Sequence, residues 1–206
     1  MKLFYSPGSC AMSPHIVLSE AGADYALERV DLATKTTESG RALKEINPQD
    51  AVPVLLLEDG ETLTEGAAIV QYIADQLPEA GLLPPVGTLA RARVQQWLNY
   101  IATEMHKAHV PLFKADYPQA SKEIALANIK RAYDFVSAAL AEQPYLLGES
   151  FTVADAYLFT IVNWHNFIGL DLAPWPALVA YQARIAARPA VRKALREEGL
   201  LEPVAA

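Results

Sequence analysis

K-L-F-Y-S-P-G-S-C-A, residues 2–11, reads as a short apolar strand that runs into a Pro-Gly turn and then a helix. The turn ends at Cys10, the only cysteine of the chain. A thiol at a helix start faces N–H groups without intrahelical acceptors, which favours its thiolate. Three residues on, where a dithiol redox motif carries its second cysteine, stands Ser13. The stretch is therefore a strand–turn–helix thiol site with one sulfur. If Cys10 does redox chemistry, the second sulfur must come from a small molecule. The alternative is a small buried apolar residue, a common use of cysteine.

The residues around this stretch alternate strand and helix. Lys2–Tyr5 reads as strand and Ser13–Ala21 as helix, with Ser13 and Pro14 suited to N-cap and first helical position. Ala26–Val30 follows as strand, then a polar loop Asp31–Gly40 and a short helix ending near Asn47-Pro48. Val54–Leu57 and Thr62–Leu63 flank Asp59-Gly60, a strong hairpin signal. Glu65–Leu77 carries helical periodicity, with Ala68, Ile69, Tyr72 and Ile73 on one stripe. The order βαβαββα is that of a thioredoxin-like domain over residues 1–80. Leu77–Gly87, with three prolines and two glycines in 11 residues, reads as a linker. Beyond it Leu89–Phe113, Ser121–Ala141, Val153–Phe167 and Ala177–Arg196 are helical, the last interrupted at Pro189. The expected architecture is α/β plus all-α, with an all-helical domain over 88–206. Thr152 and Asp155 have capping-box spacing and are read as structural.

A hydrophobic fraction of 52% supports substantial cores, and a net charge of −7 without basic runs excludes a nucleic-acid footprint. One cysteine rules out an internal disulfide framework and suits a reducing compartment. The N-terminus lacks the layout of a signal peptide. The long uncharged run Ala156–Leu170 has 15 residues, short of the ~20 that span a bilayer. A cytoplasmic protein without membrane or nucleic-acid partners is expected.

Four further segments could carry chemistry. In A-V-P-V-L, residues 51–55, an X-Pro bond entering a buried strand suits a cis peptide. It would leave the N–H and C=O of Val52 free to pair with an extended peptide ligand; the alternative is an ordinary edge proline. L-T-E-G-A-A-I, residues 63–69, opens a helix whose free N–H groups suit a carboxylate, with Gly66 permitting close approach and Glu65 taking an ammonium. Alternatively, Glu65 simply complements the helix dipole. Lys35 is the one cation between Asp31 and Gly40, in a loop that could fold over a cleft or stay solvated. Asn99, Thr103 and His106 fall at i, i+4 and i+7, one helical face, which is also normal for a plain surface helix. His106 and His109 find no carboxylate or thiol at ligand spacing, so no metal site is expected. His15 and His165 read as packed or surface residues.

Together these segments resemble the glutathione transferases, specifically the bacterial Beta class, over essentially the whole chain. The resemblance rests on F-Y-S-P-G-S-C (4–10), V-P-V-L (52–55), L-T-E-G-A-A-I (63–69), L-N-Y-I-A-T-E-M-H (98–106) and F-T-V-A-D-A-Y-L-F (151–159). The V-P and E-G pairs mark the family broadly; Cys10 with His106 marks the Beta class. The resemblance implies that Cys10 lies beside the glutathione sulfur and that Lys35 holds a carboxylate of the tripeptide. Val52 would pair with its backbone beside cis-Pro53, and Glu65 and Gly66 would bind its γ-glutamyl end. Asn99 and the segment Thr103, Glu104, Met105 and His106 would complete the site, with Cys10 and His106 catalytic. Ser9, Tyr5 and Ser13 compete as donors to the thiolate.

The implied enzyme conjugates glutathione, its co-substrate, to apolar electrophiles and has a Cys10-dependent thiol-transfer activity. It needs no other cofactor and acts as a homodimer. The electrophile is expected where the domains meet, near Cys10, His106, Tyr117 and Trp164. The competing class is a non-catalytic relative kept as an interaction module, which has no need of Cys10, Lys35, Glu65 and His106.

Overall fold

The computed structural model describes residues 1–201. Its elements are β1 (Lys2–Tyr5), α1 (Met12–Glu20), β2 (Ala26–Asp31), β3 (Thr36–Thr37), α2 (Leu43–Ile46), β4 (Val54–Leu56), β5 (Thr62–Leu63) and α3 (Gly66–Gln76). There follow α4 (Leu89–Tyr100), a π-helical segment Ile101–His106, α5 (Lys107–Phe113), α6 (Gln119–Leu140), α7 (Val153–Asn163), α8 (His165–Ile168), α9 (Pro176–Ala186) and α10 (Pro189–Glu197). One unit joins Met1–Leu83 to the chain from Ala187 onward; the other is Pro84–Ala186. The sequence reading instead put α10 with the helical half, in a domain ending at 206, of which residues 202–206 lie outside those described. None of the described helices is long and apolar enough to cross a membrane.

In the first unit the sheet order is β3-β2-β1-β4-β5. β1 is the middle strand, parallel to β2 (Leu3 opposite Leu27) and antiparallel to β4 (Leu3 opposite Leu55). The parallel pair needs a crossover, which α1 supplies. β4 and β5 pair antiparallel around Asp59-Gly60, where Gly60 takes φ 89°, a conformation that favours glycine. Phe4, Val30, Leu43, Ile46 and Val54 form a closed apolar cluster on the sheet. β3 lies inside the stretch read as polar loop. Two β-branched threonines pair with Val30 and Asp31, too short a run to give a periodic signal.

α1 differs from the expectation at its start. Its N-cap is Ala11, not Ser13, and Ser13 sits inside the first turn, its hydroxyl donating to the Cys10 carbonyl at 2.9 Å. Met12 through Leu18 are all buried, so α1 has no amphipathic stripe. α3 and α10 both pack on it. Three contacts hold α10 there. Arg188 donates to both carboxylate oxygens of Glu20, at 2.6 and 2.8 Å. The two ring nitrogens of buried His15 face Glu198 at 2.9 Å and Glu197 at 2.8 Å. The N–H of Gly8 donates to Glu198 at 2.8 Å, in the turn before Cys10. Burial works to raise the Glu197 carboxyl, but hydrogen bonds from His15 and Tyr25 outweigh it and leave it below the ordinary value. Pro189 starts α10, where its missing N–H costs nothing.

In the second unit α7 is buried from Val153 through Val162, and its N-terminus carries the expected capping box. Asp155 accepts from the Thr152 N–H and hydroxyl, both at 2.9 Å. It also accepts from the Leu146 N–H at 2.9 Å and the Tyr181 hydroxyl at 3.2 Å. One carboxylate thus ties α7, the loop before it and α9. Thr152→Ala should lower stability by about 1 kcal/mol, the usual worth of a cap. Asp155→Ala strands several buried donors and should cost about 2–4 kcal/mol. Denaturant midpoints check both; a wild-type midpoint for Asp155→Ala would show that the carboxylate does not hold this corner.

Candidate active site

Three segments of the first unit converge beside Cys10: the β1–α1 turn, the loop before β4, and the α3 N-terminus. The half-buried Cys10 thiol donates to the Val52 carbonyl at 3.5 Å. The Val52–Pro53 bond is cis. A Cβ added to Gly66 would lie 3.7 Å from the Ser13 hydroxyl and 3.8 Å from Pro53, which places the head of α3 against both neighbouring segments. Lys35 reaches the same loop, its ammonium donating to the Asp50 carbonyl at 3.0 Å. Asn47 steadies the loop further, its amide donating to the Ala51 carbonyl at 2.8 Å.

The backbone here is strained. Among the described residues, the non-glycine positions with positive φ are Lys35 (58°), Asp50 (55°) and Glu65 (64°). Each costs of order 1–3 kcal/mol, and such residues cluster at functional sites. Left-handed backbone at Lys35 and Glu65 sets where the sequence-predicted cation and carboxylate point. Glu65 is solvent-exposed at the head of α3. A cation, a carboxylate and a thiol are thereby gathered around one corner.

The helix start near the thiol is less open than expected. The N–H groups of Ala11, Met12 and Ser13 already find Ser9 Oγ (3.2 Å), the Ser9 carbonyl (3.1 Å) and the Cys10 carbonyl (3.2 Å). What remains for a thiolate there is the dipole of α1, not free N–H groups. Ser13 spends its hydroxyl on the Cys10 carbonyl, which removes it as a donor to sulfur. Burial, and behind it the Glu198 carboxylate, pushes the Tyr5 phenol above its ordinary value, so it stays protonated at neutral pH.

The second unit holds Asn99, Thr103, Glu104, Met105 and His106. The assumption that Asn99, Thr103 and His106 share one face fails, because residues 101–106 wind as π-helix. Its i→i+5 bonding breaks the 3.6-residue period, a feature frequent at functional sites. Asn99, Thr103 and Glu104 are exposed, and the Thr103 hydroxyl donates to the Asn99 carbonyl at 3.0 Å. His106 turns inward: its Nδ1 lies 2.7 Å from the Tyr157 hydroxyl, and its ring packs edge-on against Trp164 with centroids 4.9 Å apart. Met105 is fully buried and its carbonyl takes Nδ1–H of His109, so its side chain belongs to the core. Tyr117 lines a groove of about 450 Å³ between α5 and α6, together with Glu104, Lys107, Pro111 and Ile124. Trp164 is buried against His106, His109 and Phe113.

Sequence reasoning missed Tyr157 as the partner of His106, and Glu198 as the partner of Gly8 and His15. All three pairs are far apart in the chain, and no local pattern marks them. His15, expected to be packed or on the surface, is packed, and a pair of carboxylates meets its ring.

Residues 8–76 match the family model for the glutathione S-transferase N-terminal domain, and residues 100–189 match the C-terminal domain model. The chain is 45% identical to glutathione S-transferase GstA of Escherichia coli O157:H7 over 97% of this chain and 100% of the relative. A sphingomonad glutathione S-transferase, solved in complex with glutathione, superposes with a TM-score of 0.94 at 45% identity, over 98% of this chain and 100% of the other. The beta class enzyme of Sphingomonas chungbukensis gives 0.94 at 44% identity over the same shares. The chain belongs to the glutathione S-transferase family, in the company of its bacterial Beta class, and is an enzyme of that family.

Burial holds His106 down to about 4, with smaller contributions from Lys107 and His109. Its folded value lies below the ordinary 6.5, so the unfolded chain binds the proton first as pH falls. The associated stability is fully present above that ordinary value and drains away as pH drops toward 4. At pH 5 wild type should have lost about 2 kcal/mol more than His106→Gln, relative to pH 7. Urea titrations at the two pH values read this directly, and equal losses would place His106 in a solvated setting.

Proposed function

We propose that this glutathione S-transferase conjugates reduced glutathione to apolar electrophiles and also carries out Cys10-dependent thiol transfer. The observation that carries the reading is the corner where Cys10, Val52, cis-Pro53, Lys35, Glu65 and Gly66 converge. At neutral pH glutathione carries two carboxylates, one ammonium and a thiol near the usual ~8.5. Lys35 and the N-terminus of α3 suit the carboxylates, Glu65 suits the ammonium, and Val52 offers an edge to the extended tripeptide. Cys10 stands beside the sulfur. The family resemblance assigns Asn99, Thr103, Glu104, Met105 and His106 to glutathione as well. Neutral His106 contributes a hydrogen bond rather than a charge.

Glutathione serves as co-substrate and no other cofactor is required. The electrophile is held by the apolar side chains near Tyr117. The working form is a homodimer in the cytoplasm. Trp97, Tyr100 and Phe135 support the dimer: their rings cluster within 4.9–5.9 Å, and Phe135 is 51% exposed.

In thiol transfer, the Cys10 thiolate attacks one sulfur of oxidised glutathione. A Cys10–glutathione disulfide forms, the original S–S bond breaks, and one glutathione thiolate leaves. The thiolate of a second, acceptor thiol then attacks the glutathionyl sulfur, forming a mixed disulfide with glutathione and releasing the Cys10 thiolate, so the glutathionyl group passes from oxidised glutathione to that acceptor.

Four measurements test the reading. The protein should be retained on immobilised glutathione and eluted by free glutathione; a scaffold would flow through. Lys35→Ala should weaken glutathione binding by about 1–3 kcal/mol by calorimetry, the range for a hydrogen bond to a charged group. An unchanged dissociation constant removes Lys35 from the site. Cys10→Ser should keep conjugation of a chlorodinitrobenzene at reduced rate and lose thiol transfer, since a hydroxyl forms no disulfide. Intact mass should show one glutathionyl group on wild type treated with oxidised glutathione and none on Cys10→Ser. With Cys10 the sole thiol, the assignment is unambiguous. Absence of the adduct on reduced wild type overturns the covalent role.

A further inference from the structure

His106 and His109 lie three residues apart and make different bonds through the same ring atom. His109 Nδ1 is 2.8 Å from the Met105 carbonyl. A carbonyl only accepts, so His109 carries its proton on Nδ1, and its buried Nε2 is a lone pair with no partner among the described residues. His106 Nδ1 instead meets a hydroxyl, Tyr157 Oη, at 2.7 Å. A hydroxyl can donate or accept, so chemistry decides the direction. A phenol is far more acidic than a neutral imidazole N–H, and an imidazole nitrogen is far more basic than a phenol oxygen. The favoured bond is therefore O–H···N, with Tyr157 donating, and the short separation suits it. Tyr157 is 4% exposed, so water does not compete freely for either atom. Edge contacts of His106 with Trp164 and Tyr157 keep the ring from turning over.

We propose that Tyr157 is a positioning residue that holds His106 in the Nε2–H tautomer, opposite to that of His109. Among the described residues Nε2 of His106 has no hydrogen-bond partner, so its N–H is free for a ligand. This deepens the proposed role of His106 toward glutathione and rests on it. A ring locked in this way donates one hydrogen bond and accepts none. His106 then stabilises a thiolate or carboxylate by donation and does not serve as the base that takes the thiol proton. Burial, which keeps the imidazole neutral near pH 7, agrees with that role. Without the phenol, the two neutral tautomers differ little in energy and the donor is present only part of the time.

Protein labelled with nitrogen-15 in histidine tests this by long-range proton–nitrogen correlation at pH 7. The chain has four histidines, and His106→Asn and His109→Asn assign the two spin systems. Wild type should show His106 protonated on Nε2 and bare on Nδ1, and His109 the reverse. Tyr157→Phe keeps the ring and removes the hydroxyl. It should leave His106 a mixture of tautomers, His109 unchanged, and the conjugation rate at saturating glutathione about fivefold lower. A wild-type His106 protonated on Nδ1, or an unaltered tautomer in Tyr157→Phe, overturns the proposal. Should Tyr157→Phe fail to fold, the wild-type spectrum alone decides the tautomer. A protein with the stated tautomers that does not bind glutathione would refute the function proposed for the site while supporting the assignment of Tyr157.

Discussion

The turn that carries Cys10 depends on a carboxylate from the far end of the chain. Glu198 is 5% exposed and accepts the Gly8 N–H at 2.8 Å while facing His15 at 2.9 Å. Gly8 has φ 70°, so the chain reverses there and its buried N–H points away from any ladder partner. Left unpaired, that N–H would cost about 1–3 kcal/mol. A buried carboxylate without a donor would cost more. Each group thus makes the other tolerable. The result couples α10, the N-terminal turn and α1 through one side chain. Such a pair gives weak net stability but demands a specific geometry.

From that anchor the site is built by successive constraints. β1 sits between two strands and cannot shift register without breaking both ladders. Its end delivers the turn, the turn delivers Cys10, and Cys10 meets the carbonyl of Val52. The loop behind Val52 is tied to Lys35 and Asn47. The positive-φ backbone at Lys35, Asp50 and Glu65 is carried by the same rigid surroundings. A net charge of −7 offers no general attraction for an anionic ligand, so the local cation matters more than the overall field.

Burial in the second unit sets its chemistry in a different way. His106 and His109 are kept neutral by desolvation, and what distinguishes them is the atom each meets. His109 is committed to the core. His106 bonds a tyrosine hydroxyl where His109 bonds a backbone carbonyl. The π-helical segment makes this possible, because it turns Met105 and His106 inward while Thr103 and Glu104 stay at the surface. A regular helix would place His106 on the same face as Asn99 and Thr103.

The fold was legible wherever a local rule acts alone. β1, the Asp59-Gly60 hairpin, the capping box of α7 and the break at Pro189 all follow from strand propensity, turn chemistry, capping and the missing proline N–H. The candidate site residues Cys10, Lys35, Val52, Glu65 and Gly66 were legible as residue types near element ends. Their convergence came from the family resemblance and not from any local pattern, because it is made by three segments that meet only in the folded unit. β3 was hidden because two residues carry no period. Ser13 was misplaced as a cap because the helix is capped two residues earlier, at Ala11, with its first N–H groups satisfied by Ser9. The ties of α10 to Glu20, His15 and Gly8 left no local signal because those partners lie more than 160 residues away. The sequence by itself determined the elements and the chemical groups, since those depend on neighbours a few residues apart. Only the tertiary structure decided which carboxylate meets Gly8, which face His106 takes and which nitrogen it leaves free, since those depend on contacts that a chain makes after it closes on itself.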